Sequence, residues 1–255
     1  MSAEFVWRME DILDLYAEPY DPQYPLVCFD ESPYQLVSEV RQPLPVAPGQ
    51  PVRYDYEYRR EGTCNLFLFF EPLRGWRHVK VTDRRTAQDF ADCMKDLVDT
   101  HFPRATVISV VLDNLNTHTP AALYATFPPA EACRILRRLD FHDTPKHGSW
   151  LNMAETEFAV VSTQCLDRRL GDQETVRREL VAWETRRNEQ KATADWRFTT
   201  AKARCKLKCI YPLSSVWQTT TLSRICSAHD AYGRREARQG GQSDVGAERA
   251  QHRAR

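Results

Sequence analysis

The chain has 255 residues, of which 42% are hydrophobic and 27% charged, with 35 basic and 35 acidic side chains. That is enough chain to bury one substantial core. The lack of any long apolar run excludes a membrane span, and the zero net charge argues against wholesale electrostatic capture of nucleic acid.

Residues Ala3 to Tyr16 place Phe5, Val6, Met9, Ile12, Leu13 and Tyr16 at helical spacing, which predicts an opening helix. This N-terminus is acidic and amphipathic, unlike a secretory signal. "EPYDPQYP" breaks the helix, and "LVCFD" then reads as a buried strand over Leu26 to Phe29 with Asp30 at its C-terminal tip. The proline-rich "RQPLPVAPGQP" forms a loop. Three strands are expected next, in "VRYDYEY", "CNLFLFF" and "RHVKVT", with "EPLRGW" as the turn between the last two.

Thr86 to His101 has helical periodicity with early acids. "TVISVVLDN" is a buried strand that again ends on an acid, Asp113. Thr119-Pro120 opens one helix and "FPPAEACRILRRL" another, and "DFHDT" is a short strand or extended segment. After the turn "PKHGS" the chain is helix-rich to about Ala203. Beyond Pro212 it is poor in apolar residues and reads as a disordered extension. The expected division is an N-terminal helix and linker over 1–24, a catalytic domain over 25–212 and a disordered tail over 213–255. The order of elements predicts an α/β domain with a mixed sheet covered by helices.

Eight cysteines without a CxxC pair are expected to be reduced thiols of a cytoplasmic protein, several of them buried, and not a zinc site. From Arg134 to Pro212 there are 16 Lys and Arg against 11 Asp and Glu, so a local basic surface could meet a phosphate backbone or be a plain solvated face.

Two expected strands end in aspartate, and "HGSWLNMAETEF" opens a helix with two glutamates. Acids at the edge of a sheet, joined by one from a helix, can converge on a divalent metal. Aspartate is also common at strand ends for turn reasons. Glu155 has two readings at this point: a metal ligand, or the N3 member of a capping box with Asn152 as N-cap. Helical geometry puts Glu155 at the edge of an apolar stripe formed by Leu151, Ala154, Phe158, Val161 and Cys165, with Glu157 on the other flank beside Met153 and Gln164. Glu31 points to the strand face opposite Asp30 and is expected to be structural. Asn114, Asn116 and His118 could touch metal-bound water or DNA, or only satisfy their loop. Lys146 and His147 could contact phosphate, and Trp150 could stack on a base or pack on the core.

The segments "PLVCFDESPYQL", "VVLDNLNTH" and "DTPKHGSWLNMAETEF", in that order, resemble the three acidic motifs of bacterial insertion-sequence transposases related to the mariner superfamily. The resemblance extends from about Ala3 to Pro212 and includes "RRTAQDFA" and "WRFTTAKARCKLKCIYP". It implies a ribonuclease H-like fold with a mixed sheet flanked by helices. It further implies that Asp30, Asp113 and Glu155 are the catalytic acids, holding two Mg²⁺ or Mn²⁺ ions for DNA cleavage and strand transfer. Expected partners are double-stranded DNA, with insertion at TA dinucleotides, and a second copy of the chain. Full-length relatives carry an N-terminal helix-turn-helix region, whereas this sequence starts directly before the catalytic domain. Rival readings are a catalytically inactive remnant that only binds DNA or a partner, and a stand-alone metal-dependent nuclease.

Overall fold

A computed structural model describes residues 2–41, 48–49 and 56–212. The expected tail, most of "RQPLPVAPGQP" and most of "VRYDYEY" lie outside the described residues. The chain divides into two compact units, Trp7–Arg197 and a smaller one made of Met1–Val6 and Phe198–Arg255. Among the described residues no helix is long and apolar enough to cross a membrane.

Helix α1 (Ala3–Leu15) is followed by the first three strands, β1 (Leu26–Glu39), β2 (Tyr58–Glu71) and β3 (Trp76–Thr82). Gly75, in the turn between β2 and β3, has φ of +71°, and a Cβ there would come within 2.6 Å of the Lys191 backbone. Only glycine fits that left-handed, crowded position. Helix α2 (Ala87–Asp96) starts with a reciprocal cap, because Thr86 accepts from the Asp89 N–H while the Asp89 carboxylate accepts from the Thr86 N–H. A π-helical turn over Leu97–His101 completes the expected helix.

Strand β4 (Ile108–Leu112), helices α3 (Pro120–Thr126) and α4 (Pro129–Leu136), and strand β5 (Leu139–Asp143) follow. The five strands form one sheet in the order β3-β2-β1-β4-β5. The β1–β2 and β2–β3 pairs are antiparallel, while β1–β4 and β4–β5 are parallel. The sheet is mixed, as expected.

One boundary differs in a way that matters. Strand β1 does not stop at Phe29 but continues to Glu39, so Asp30 sits within the strand. The antiparallel ladder with β2 carries it on, pairing Asp30 with Leu68. What ends nearby is the other neighbour, since β1 pairs β4 only from Leu26 to Cys28. Asp30 therefore lies where one edge of β1 has lost its partner strand. Sequence alone shows the acid after the apolar run but not the ladder that prolongs the strand.

The apolar runs explain the layers. Val27, Phe29, Phe67, Phe69, Ile108, Val110 and Leu112 bury one sheet face against Phe90 and Met94 of α2, Leu123 of α3 and Ile135 of α4. Fully burying one such side chain stabilises by about 1.5–3 kcal/mol. The other face carries α5 (Met153–Val161) and α6 (Gln173–Glu189), the latter packed along β3. A π-helical turn over Ser162–Leu166 extends α5. The smaller unit includes α7 (Thr200–Lys206), capped by the Thr199 hydroxyl accepting from the Lys202 N–H.

Among the described residues six cysteines are free thiols, four of them buried, but Cys205 is disulfide-bonded, contrary to expectation. A cysteine that will pair and one that will simply be buried look alike in sequence, because both are small and apolar.

Candidate active site

Three segments meet at the β1–β4 edge. Asp30 lies in β1, Asp113 is the first residue past β4, and Glu155 lies in the first turn of α5. Asp30 is half-buried and its Oδ1 accepts the backbone N–H of Glu31 at 2.9 Å. Burial pushes its carboxyl up to about 7 against the lowering effect of that N–H, and the charges of Asp113, Glu31 and Glu155 push it the same way. The three expected acids are thus electrostatically coupled, together with a fourth.

The start of α5 is anchored by Asn152. Its side-chain oxygen accepts from the Ala154 N–H at 3.1 Å, and its side-chain nitrogen donates to the carbonyl of Phe29 at 2.9 Å. Asn152 is therefore the N-cap that the sequence suggested. The capping box is not formed, because the Asn152 backbone N–H is taken by the carbonyl of Ser149 at 2.8 Å. Glu155 is exposed, and among the described residues its carboxylate has no hydrogen-bond or ion-pair partner. Tyr16 ties the same region down, donating to the carbonyl of Leu151 at 2.6 Å with Cys28 Sγ 3.3 Å away. In the turn before α5, Gly148 allows close approach to Pro145, whose Cγ would lie 2.6 Å from an added Cβ.

Glu157 corrects the expected stripe. It is only 4% exposed, and Phe158 is only partly buried. Its Oε1 lies 2.8 Å from Arg77 Nε and 3.4 Å from an Arg187 terminal nitrogen. Arg77 is fully buried and also donates to the carbonyls of Gly75 and Ala192. Glu157 is a buried ion-pair member of the fold. A period count sees a charged residue on a helix flank, but not a cation arriving from β3.

Glu31 lies on the sheet face opposite Asp30, as strand alternation requires. It is not isolated there. His118 Nε2 lies 2.9 Å from Glu31 Oε2, and His118 Nδ1 lies 2.7 Å from Asp113 Oδ1. The oxygens sit at ion-pair distance without hydrogen-bond alignment, so Glu31 Oε2, Asp113 Oδ1 and His118 Nδ1 are buried with no aligned hydrogen bond. The imidazole is buried against Phe29 and Phe90, with ring centroids at 5.4 and 4.8 Å. Burial acts to lower its pKa, but contacts with Asp113 and Glu31 win and push it up to about 9. Glu31, Asp113 and His118 offer ligand atoms within 4.8 Å of one another.

The remaining expected residues are more peripheral. Asn114 and Asn116 are exposed in the loop after β4, and among the described residues no hydrogen bond joins them to the acids. Lys146 and His147 are exposed in the turn before α5, with His147 in the left-handed region at φ of 66°. Trp150 is 44% exposed and lies nearly parallel to Trp196, with centroids 6.4 Å apart. Glu31 sits where strand alternation put it, but its position beside Asp30 carried no signal that His118 would be its partner.

Residues 25–177 match the family model described as DDE superfamily endonuclease. Among solved structures, the Mos1 mariner paired end complex with Mn aligns at 15% identity and a TM-score of 0.51, covering 75% of this chain and 58% of that one. The Mos1 transposase paired-end complex with left transposon end aligns at 15% identity and a TM-score of 0.50, covering 75% and 60%. The Mos1 Strand Transfer Complex gives 15% identity and a TM-score of 0.50, covering 75% and 59%. The likeness at this identity is one of fold, and the sheet described above is the ribonuclease H-like arrangement expected from sequence. The chain thus spans less than two thirds of the length of these three chains. A comparison with curated proteins returned no match.

Proposed function

Because this chain belongs to the DDE superfamily endonuclease family, we propose that it is the catalytic domain of a transposase that cuts and joins DNA strands. In this reading Asp30, Asp113 and Glu155 are the metal-binding acids. The observation that carries it is placement: Asp30 in β1, Asp113 just past β4 and Glu155 in the first turn of α5 are acids of three separate segments, and burial together with the charges of the other acids raises the Asp30 carboxyl. Such an arrangement suits a divalent cation, which relieves repulsion among the acids. Among the described residues no Lys or Arg forms an ion pair with Asp30 or Glu155, and the oxygens are the hard donors that Mg²⁺ and Mn²⁺ prefer. A bound pair of such ions would supply an activated water or 3′-hydroxyl and stabilise the leaving oxygen of an in-line displacement.

The protein's own part is placement. The β1 backbone holds Asp30 through the Glu31 N–H, the His118 ring holds Asp113, and Asn152 fixes the start of the Glu155 helix against Phe29. Exposed Lys146, His147 and Trp150 lie on the turn leading into that helix and are suited to phosphate and base contacts. The substrate in this reading is double-stranded DNA, and the working form is a dimer that brings two DNA ends together. Similar folds occur in structures named as a paired end complex with Mn and as a strand transfer complex, which supports the reading.

The test is nicking of supercoiled plasmid and joining of a 3′-hydroxyl oligonucleotide, both in Mn²⁺. Wild type should do both, and Asp30→Asn, Asp113→Asn and Glu155→Gln should each abolish both. Nicking without joining would point to a stand-alone nuclease, and DNA binding without nicking to an inactive remnant. Full activity in the Glu155→Gln variant would remove Glu155 from the site.

A further inference from the structure

We infer that Glu31 and His118 are positioning residues that act in series, with Glu31 holding the His118 ring and the ring holding Asp113 for a divalent cation. This rests on the proposed role of Asp113 as a metal ligand.

Three observations carry the inference. First, each ring nitrogen has a carboxylate oxygen at ion-pair distance, Glu31 Oε2 at 2.9 Å from Nε2 and Asp113 Oδ1 at 2.7 Å from Nδ1. Second, its plane is set by packing, since Phe29 lies edge-on at 68° and Phe90 is nearly parallel at 28°. Third, Glu31 and His118 have side chains only 4% and 1% exposed, while that of Asp113 is 32% exposed. A buried acid thus stands behind a buried ring, and the ring stands behind the one member of the chain that reaches solvent.

A separate metal site built from Glu31, Asp113 and His118 explains these contacts less well. The two carboxylates address different nitrogens of one imidazole, so an ion held by both would have to break at least one contact. The series arrangement needs no such rearrangement. It commits one oxygen of Asp113 to the ring and leaves the other for a cation. It also gives Glu31, on the wrong face of β1 to join Asp30, a route to the same centre. Groups that orient a metal ligand in this way typically change metal affinity by about 10–100-fold when removed.

The experiment measures Mn²⁺ binding to the full chain by the electron paramagnetic resonance signal of free Mn²⁺, with thermal unfolding of each metal-free variant alongside. Glu31→Gln keeps the shape and removes the charge. His118→Gln places an amide near the former Nε2 and loses the contact with Asp113, whereas His118→Asn places one near the former Nδ1 and keeps it. Glu31→Gln and His118→Gln should weaken Mn²⁺ binding by about 10–100-fold. His118→Asn should recover part of the loss at a melting temperature similar to that of His118→Gln. A purely structural role would make binding follow melting temperature, with no advantage for Asn, and that pattern overturns the inference. If Glu31→Gln fails to fold, the two His118 variants decide alone. Mn²⁺ binding that is lost in Asp113→Asn but unchanged in Glu31→Gln and His118→Gln overturns only the series. Wild type that binds no Mn²⁺ overturns the proposed function and the series with it.

Discussion

The Asn152 side chain donates to the carbonyl of Phe29 at 2.9 Å while its oxygen caps α5 through the Ala154 N–H, so one carboxamide joins the strand of Asp30 to the helix of Glu155. Asn152 is 2% exposed, so water cannot replace either bond. Asn152→Asp keeps the cap but loses the donor to Phe29. It should lower stability by about 1–3 kcal/mol in urea unfolding. Nicking by the folded fraction should slow by roughly 10–100-fold as Glu155 shifts. Unchanged nicking in this variant would mean that the bond does not set the position of Glu155.

Glu157 is a stability residue in this structure. Glu157→Gln leaves Arg77 buried without its charge partner, a change expected to destabilise by about 3 kcal/mol or more. Chemical denaturation measures it, and nicking per folded molecule should stay near wild type. A stable variant with abolished nicking would place Glu157 in the chemistry instead.

Metal should stabilise the protein through the acids. With free Mn²⁺ at about a hundred times its Kd, wild-type stability should rise by about 2.7 kcal/mol. Removing the ion with a chelator should reverse the gain. Asp30→Asn and Asp113→Asn should show little of this rise in scanning calorimetry. An equal rise in all three proteins would place the bound ion elsewhere.

Glu71 should make stability fall with rising pH. It is fully buried, both carboxylate oxygens lack a hydrogen-bond partner, and Arg74 is 3.8 Å away. Burial pushes its carboxyl up to about 7, partly offset by Arg74. A raised carboxyl pKa means that the folded state binds the extra proton between about pH 4.5 and 7. The protonated form's advantage is therefore complete below about 4.5 and is lost as pH rises through about 7. Glu71→Gln should flatten that slope and be more stable than wild type at pH 8.5 by about 2–3 kcal/mol. Parallel urea-midpoint profiles for the two proteins would sink this assignment.

Much of the fold was legible because its signals are local. The helix after Thr86, the prolines opening α3 and α4, and the continuous apolar runs of β2 and β4 each appear where expected. The end of β1 was not legible, since a ladder with β2 prolongs it past its apolar run. Nor could sequence show whether Glu155 closes a capping box. The Asn152 N–H goes to Ser149 instead, a matter of backbone geometry in the preceding turn.

The sequence by itself determined most of the strands and helices, the candidate acids Asp30, Asp113 and Glu155, and the Asn152 cap. Periodicity, capping chemistry and motif spacing all act between near neighbours in the chain. Only the tertiary structure decided that Glu157 answers Arg77, that Glu31 reaches Asp113 through His118, and that Asp30 stands where β4 ends. These relationships join residues far apart in sequence. Their energies come from burial and charge pairing, which exist only once the sheet has brought the segments together.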